Sequence, residues 1–417
     1  MSLCDVPRSM ATRHTIWLLL AGVLSGACLI EADRPVDPTM VCAEGNCACR
    51  PGLGNCDGNA QNGCETDLLY KAEHCGACGQ TCLNGSCSDG HCLCDGGYVG
   101  CSQIPGVNCE TDITRDPHNC GDCNRDCHGG ECWDRMCEPI GIAEGLLRPR
   151  LLRVGPRQGY YVSDELLSSD RSRIWARELD TSAEPVALYS SVDTIRDLEF
   201  DGEQLFWITD GQVLSMMPIP GQAPLTVAED ATPLAALSHL ALSESHVYVT
   251  RVDGSLERVP KSGGPLEPVA TDCGTMPVVG DDYVYWSPPG GPIRRLRMSD
   301  DSIEAFDWSS FAGAAQVYAG ELYWVAAEGD ETWLKRKGDY GEDVDQVAIG
   351  ADCCFHLLVS DHGVLVSAED SGTVQLVDLD ARDSNVIARG QIGVRDLAAD
   401  AQFAYWLTDQ RLMRLAR

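Results

Sequence analysis

The sequence predicts an all-β protein, built as a disulfide-rich tandem-repeat module followed by a seven-bladed β-propeller. Three observations carry this. Of the 23 cysteines, 18 lie between Cys42 and Cys137, in a register that recurs after 45 residues. From about residue 138 cysteine nearly vanishes, and short apolar runs alternate with Gly/Pro turns. In that second region aromatic-centred strands recur every 37 to 46 residues. That is the length of one four-stranded blade.

Composition narrows the function. The 417 residues carry 63 acidic and 31 basic side chains, a formal charge of -32. Such a surface repels the nucleic-acid backbone and anionic lipid, so neither is an expected partner. It keeps the chain soluble and favours cations or basic groups. At 44% hydrophobic residues a packed core is within reach.

The first element is a leader. Arg13 and His14 precede an apolar run from Ile16 to Val23, followed by Leu24-Ser25-Gly26-Ala27-Cys28. The run is shorter than a membrane-spanning helix needs and has the layout of a signal peptide, with small residues before a cut. The expected division is a signal peptide over 1–27 and a tether over 28–41. Leu-Ser-Gly-Ala-Cys resembles a bacterial lipobox, which implies lipidation of Cys28. Ser25 departs from that pattern, and Ser25-Gly26-Ala27 also fits ordinary signal peptidase. The lipoprotein reading is preferred, with membrane contact only through that anchor.

The second element, over 42–137, is two copies of one unit. Cys42, Cys47, Cys49, Cys56, Cys64, Cys75, Cys78, Cys82 and Cys87 recur as Cys87, Cys92, Cys94, Cys101, Cys109, Cys120, Cys123, Cys127 and Cys132, and Cys137 repeats Cys92. Cys64-Glu65-Thr66-Asp67 returns as Cys109-Glu110-Thr111-Asp112. So glycine-rich and aliphatic-poor a segment cannot build a sufficient core, so bridges of roughly 2–4 kcal/mol each replace it. All 18 cysteines are expected in disulfides. Spacing alone leaves their partners open.

Metal is the competing reading. Cys75-x-x-Cys78 and Cys120-x-x-Cys123 have zinc-knuckle spacing, but they sit among many more cysteines in an exported chain. Asn55, Asp57, Asn59, Glu65 and Asp67 offer oxygens for calcium. They miss the EF-hand spacing, and the second copy replaces the first three with Gly100, Ser102 and Ile104. Turn formation accounts for them better. Neither metal nor cofactor is expected.

Here a resemblance enters. Asn55-Cys-Asp-Gly-Asn59, Asn62-Gly-Cys-Glu-Thr-Asp67 and Asn119-Cys-Gly-Asp-Cys123 resemble the cysteine-rich repeats of predicted surface proteins of social soil bacteria. The run from Cys82 to Cys101 also resembles part of an EGF-like module. Such repeats imply a spacer or an adhesive module.

The third element, over 138–417, is the propeller. Its strands centre on Tyr160-Tyr161, Phe206-Trp207, Tyr248-Val249, Tyr285-Trp286, Tyr323-Trp324, Leu365-Val366 and Tyr405-Trp406. The unit from Ile195 to Asp210 parallels that from Val394 to Asp409, and both resemble Tyr-Trp-Thr-Asp propeller repeats. The last unit has three strands, which would leave a sheet edge open. The segment Glu138 to Ala143 resembles fourth strands such as Glu267 to Ala270, and is expected to close the ring.

Candidate site residues come from the starts of the first strands, which line a propeller's channel. Counting back nine and ten positions from each aromatic anchor gives Arg150-Leu151, Arg196-Asp197, Ser238-His239, Thr275-Met276, Gly313-Ala314, Phe355-His356 and Arg395-Asp396, of which Arg196, Asp197, His239, His356, Arg395 and Asp396 are the candidates. They would surround one channel mouth, either as a satisfied polar lining or as a site for a small polar ligand. The paired aromatics are assigned to packing between blades. Cys273, Cys353 and Cys354 remain, with Cys354 able to bridge to Cys353 or to reach Cys273. No nucleophile elbow, metal-binding helix or phosphate loop is present. The leading reading is a non-enzymatic binding or adhesion protein for a protein or small polar ligand, at the outer membrane or cell surface, or secreted. The alternative resembles the streptogramin lyases, with His239 or His356 as a base at the channel mouth.

Overall fold

The computed structural model describes residues 38–43, 46–59, 62–102, 107–164, 171–181, 183–229, 236–274, 276–339, 341, 343–350 and 355–416. Cys28, Cys353 and Cys354 lie outside these, as do the side chains of Cys42 and Cys47.

Seven antiparallel four-stranded sheets form the C-terminal region. Six are simple meanders, spanning 149–191 (blade 1), 197–229 (blade 2), 237–270 (blade 3), 278–307 (blade 4), 315–350 (blade 5) and 355–388 (blade 6). Blade 7 takes three strands from 395–416 and its fourth, Ile140–Ala143, from before blade 1. That strand pairs antiparallel with Leu412–Ala416, opposing Ile140 to Arg414 and Gly141 to Met413. Each blade's innermost strand touches that of both neighbours, so the ring closes.

Period-two alternation explains the aromatic pairs, because adjacent strand residues face opposite sides of a sheet. Trp207 packs back on Tyr160 and Val162 of blade 1. Phe206 points forward into Val247 and Val249 of blade 3. Trp286 and Tyr285 repeat the pattern, one against Tyr248 and the other against Trp324. Trp207, Trp286, Trp324 and Trp406 are among the largest fully buried side chains. Each blade thus glues two interfaces, which is why one aromatic-centred strand suffices per repeat.

Among the described residues the N-terminal module contains only short two-stranded pairings and a single 3-10 turn at Ala72–His74. Disulfides organise it. Cys49–Cys64, Cys56–Cys78, Cys75–Cys87 and Cys82–Cys92 recur 45 residues later as Cys94–Cys109, Cys101–Cys123, Cys120–Cys132 and Cys127–Cys137. The duplicated Glu also repeats its work. Glu65 accepts from the Cys56 amide at 3.0 Å, and Glu110 from the Ser102 amide at 2.5 Å. Asp67 and Asp112 accept amides two residues on, as Asx turns do. The oxygens of Asn55 and Asp57 are spent the same way, on Gly58 and Asn59, so the calcium candidates act as turn formers. A bridge density of this kind marks a chain that folds outside the reducing cytosol. Among the described residues no helix is long and apolar enough to cross a membrane.

The second cysteine unit is docked on the propeller. Cys120, Cys127, Cys132 and Cys137 share one apolar cluster with Phe403 and Trp406 of blade 7. Arg414 donates to the His128 carbonyl at 3.1 Å, and the His128 ring packs edge-on against Phe403. Among the described residues the first unit has its own small cluster around Cys75, Cys82 and Cys87.

Candidate functional site

The structure sorts the six channel-mouth residues into three groups. Arg196 and Arg395 pair with Asp210 at 2.7 Å and Asp409 at 3.1 Å in their own blades, and Arg395 also reaches Glu369 of blade 6 at 3.6 Å. Arg150 repeats the pairing with Asp164, through two hydrogen bonds of 2.8 Å. In each case the arginine lies at or beside the start of the first strand and the aspartate at or just past the end of the second, fourteen residues on, so the pair ties two adjacent strand ends together.

Asp197 and Asp396 form the second group, and they clamp neighbouring blades. Asp197 accepts from the Leu240 amide of blade 3 at 2.9 Å, and Asp396 from the Leu152 amide of blade 1 at 2.9 Å. Both also surround Arg153, which bonds Asp396 at 2.9 Å and Glu199 at 2.6 and 2.9 Å, with Asp197 at 4.0 Å. Asp396 has a left-handed backbone, φ 49°, at a bulge that turns its carboxylate toward the next blade. Arg153 and Glu199 were missed by counting only to the first two positions of the strand. Asp197 and Glu199 are two residues apart and share a face, so continuing the alternation would have found Glu199.

The third group is the histidines. Nδ1 of His239 lies 2.8 Å from the Ser238 hydroxyl, and burial pulls the imidazole below its ordinary range. His356 sits opposite Ser367 on blade 6. Among the described residues no contact joins the two histidines to each other or to the Arg153 cluster.

The Arg153 cluster holds one cation and three carboxylates. Burial lifts Asp197 above the usual carboxylate range, while Arg153 and the amides of Leu240 and Leu198 oppose the rise. Burial raises Glu199 too, against Arg153. A raised carboxylate binds its proton more tightly when folded. It therefore adds stability that is full below the unfolded value, near 4, and is lost as pH rises through the folded value. Asp164 and Asp307 are lowered despite burial, by Arg150 and by Ser309, and their contribution fades only under stronger acid. Asp197 and Glu199 should accordingly favour a higher melting temperature at about pH 5 than at about pH 7.5, a gain that His239 opposes, because its depressed imidazole loses stability as pH falls below its unfolded value, near 6.5. E199Q should remove part of that gain, which differential scanning calorimetry at the two pH values measures. An unchanged slope would show that the cluster does not titrate as described.

A separate cleft lies at the seam where the ring closes. It measures about 840 Å³ and runs between Ile142 to Leu147, at the end of the closing strand and in the loop after it, the Tyr161 and Trp175 strands of blade 1, and Arg414 of blade 7. Tyr161, Trp175, Leu179 and Arg177 are among its lining residues. Arg177 is 6% exposed. It donates to the Ala183 carbonyl at 2.6 Å and to the Ile142 carbonyl of the closing strand, which ties blade 1 to blade 7. Burial pushes the Tyr161 phenol up to about 12, slightly offset by Arg177, so it is a neutral hydroxyl at any physiological pH. Cys273, a buried free thiol, is also pushed up to about 12 by burial and is inert as a nucleophile.

No family model matches the sequence, and no curated protein matches it. Solved structures match in number, 979 chains in all. Virginiamycin B lyase from Staphylococcus aureus, in a catalytically inactive histidine-to-alanine form with quinupristin, aligns at TM-score 0.53 and 10% identity over 67% of this chain and 98% of its own. YCF48 bound to a D1 peptide aligns at 0.51 and 12%, over 67% and 94%. Puromycin hydrolase aligns at 0.52 and 13%, over 66% of this chain and 53% of its own. One is a lyase, one a hydrolase and one a peptide complex, so likeness at this identity shows the propeller fold and leaves the chemistry to the site.

Proposed function

We propose that the chain is an exported, non-enzymatic binding protein, held at the cell surface by a lipid on Cys28. Its propeller would be a platform presented on the cysteine module. The observation that carries this is the face where second strands end and first strands begin. Loops on it leave Leu147, Val192, Val252, Trp308 and Ile392 in solvent, with Trp308 89% exposed. A large aromatic held out at a loop tip is a binding anchor. The charged side chains beside it are spent on each other: Arg150, Arg196 and Arg395 are closed by their aspartates. That leaves a rigid face with apolar contacts and a polar rim.

His239 favours the enzymatic alternative in one respect, since burial keeps its imidazole neutral, as a base requires. Its described partner is a serine hydroxyl, and no carboxylate is seen orienting it.

Photo-crosslinking on intact cells tests the reading. A crosslinker in place of Trp308 should capture a discrete protein, whereas one in place of Met217, at the opposite strand ends, should not. The membrane-extracted chain should carry an acylated Cys28 by mass spectrometry. Equal capture from both positions, or turnover of a small molecule abolished by H239A, would overturn it.

A further inference from the structure

We infer that the seam cleft is a binding site for a small zwitterion with an apolar body, its carboxylate inward and its ammonium at the mouth. This deepens the binding reading above and rests on it. Charge distribution is the starting point. Several buried or half-buried arginines elsewhere in the ring meet carboxylates: Arg153 meets three, and Arg251 and Arg336 meet Glu257 and Asp345 within 3 Å. The two arginines of the cleft do not. Arg177 meets only the carbonyls of Ile142, Thr181 and Ala183, and its Nε–H is buried with no acceptor. Arg414 meets the carbonyls of Leu179 and His128 and lies over the Phe403 ring at 4.5 Å. Among the described residues neither has a carboxylate within 4 Å, in a chain with twice as many acids as bases. A buried cation that lacks an anion is costly, and an incoming carboxylate would supply one.

The walls define the rest of the ligand. Tyr161 lines the cleft and its hydroxyl has no described hydrogen-bond partner, which leaves it able to donate to an anion. Trp175 and Leu179 give an apolar wall. The mouth is acidic: Asp180 and Glu184 are exposed on its lip. A free dianion would be repelled there, whereas a molecule with a trailing ammonium gains at both ends. Depth of positive charge behind a negative rim selects a zwitterion over either an anion or a cation. The volume, about 840 Å³, suits an amino-acid or short-peptide ligand.

Calorimetric titration of the oxidised full-length chain tests this with four probes: L-phenylalanine, 3-phenylpropionate, phenethylamine and inorganic phosphate. L-phenylalanine should bind best, 3-phenylpropionate more weakly, and the other two not measurably. Y161F removes a hydroxyl that holds nothing in the fold, so its melting temperature should be unchanged while L-phenylalanine binds roughly five- to tenfold more weakly. D180N/E184Q, on the exposed lip, should weaken L-phenylalanine but not 3-phenylpropionate. Phenethylamine or phosphate binding as tightly as L-phenylalanine, unaltered affinity in Y161F, or no binding by any probe would overturn the assignment. Should no probe bind while crosslinking through residue 308 still captures a protein, the cleft assignment fails and the platform reading stands.

Discussion

A chain beginning at Arg148 should melt roughly 10 °C or more below one beginning at Glu138 and should associate on standing. The two differ by the closing strand, Ile140–Ala143. Without it the edge Leu412–Ala416 loses its backbone partner, and Leu412, Met413 and Leu415, all nearly inaccessible in the ring, lose cover on one side. Full exposure of each would cost roughly 1.5–3 kcal/mol. Even part of that is a large fraction of the roughly 5–15 kcal/mol that holds a domain together. Arg177 would at the same time lose the Ile142 carbonyl, one of the few acceptors its buried charge has. An open, apolar sheet edge is also a template for pairing with a second molecule, hence the expected association. Thermal unfolding with size-exclusion chromatography measures both effects. Equal melting of the two chains would mean that the ring is not held shut by this strand.

Reduction should dismantle the cysteine module in order while sparing the propeller. The two parts use different stabilisers. The described bridges close loops of 10 to 22 residues, worth roughly 2–4 kcal/mol each, and all of them lie in the module. Blades 1 to 7 hold none among the described residues and rest on clusters shared by neighbouring sheets. Within the module the first unit should open first, because its core is its own half-cystines. The second is braced against Phe403 and Trp406. Limited proteolysis in dithiothreitol should cut between residues 49 and 92, then between 94 and 137, and leave a resistant fragment from about residue 138 onward. Early cleavage inside blades 2 to 6 under the same treatment would contradict this division of labour.

Much of this architecture was legible in the chain itself, for local reasons. A 45-residue echo of cysteines and of Cys-Glu-Thr-Asp states a duplication whatever the fold, and the paired aromatics state a strand that packs on both faces. The three-strand final unit and the orphan segment before blade 1 together required a partner for each. All of these are periodicities, and periodicity is a property of sequence alone. Disulfide partners were not legible, because a bridge depends on Cβ atoms meeting in space. Nor was the fate of the channel-mouth residues. Sequence placed Asp197 and Asp396 at equivalent strand positions, but only the ring brings both to Arg153, which stands 44 residues from the one and 243 from the other. The seam cleft lay furthest out of reach. Its parts come from the closing strand and the loop after it, two strands of blade 1 and the last strand of the chain, so they form a site only once the ring shuts. The sequence determined which segments are strands and which are stapled. The tertiary structure decided which charges find partners, because in a closed ring each blade's neighbours come from distant parts of the chain.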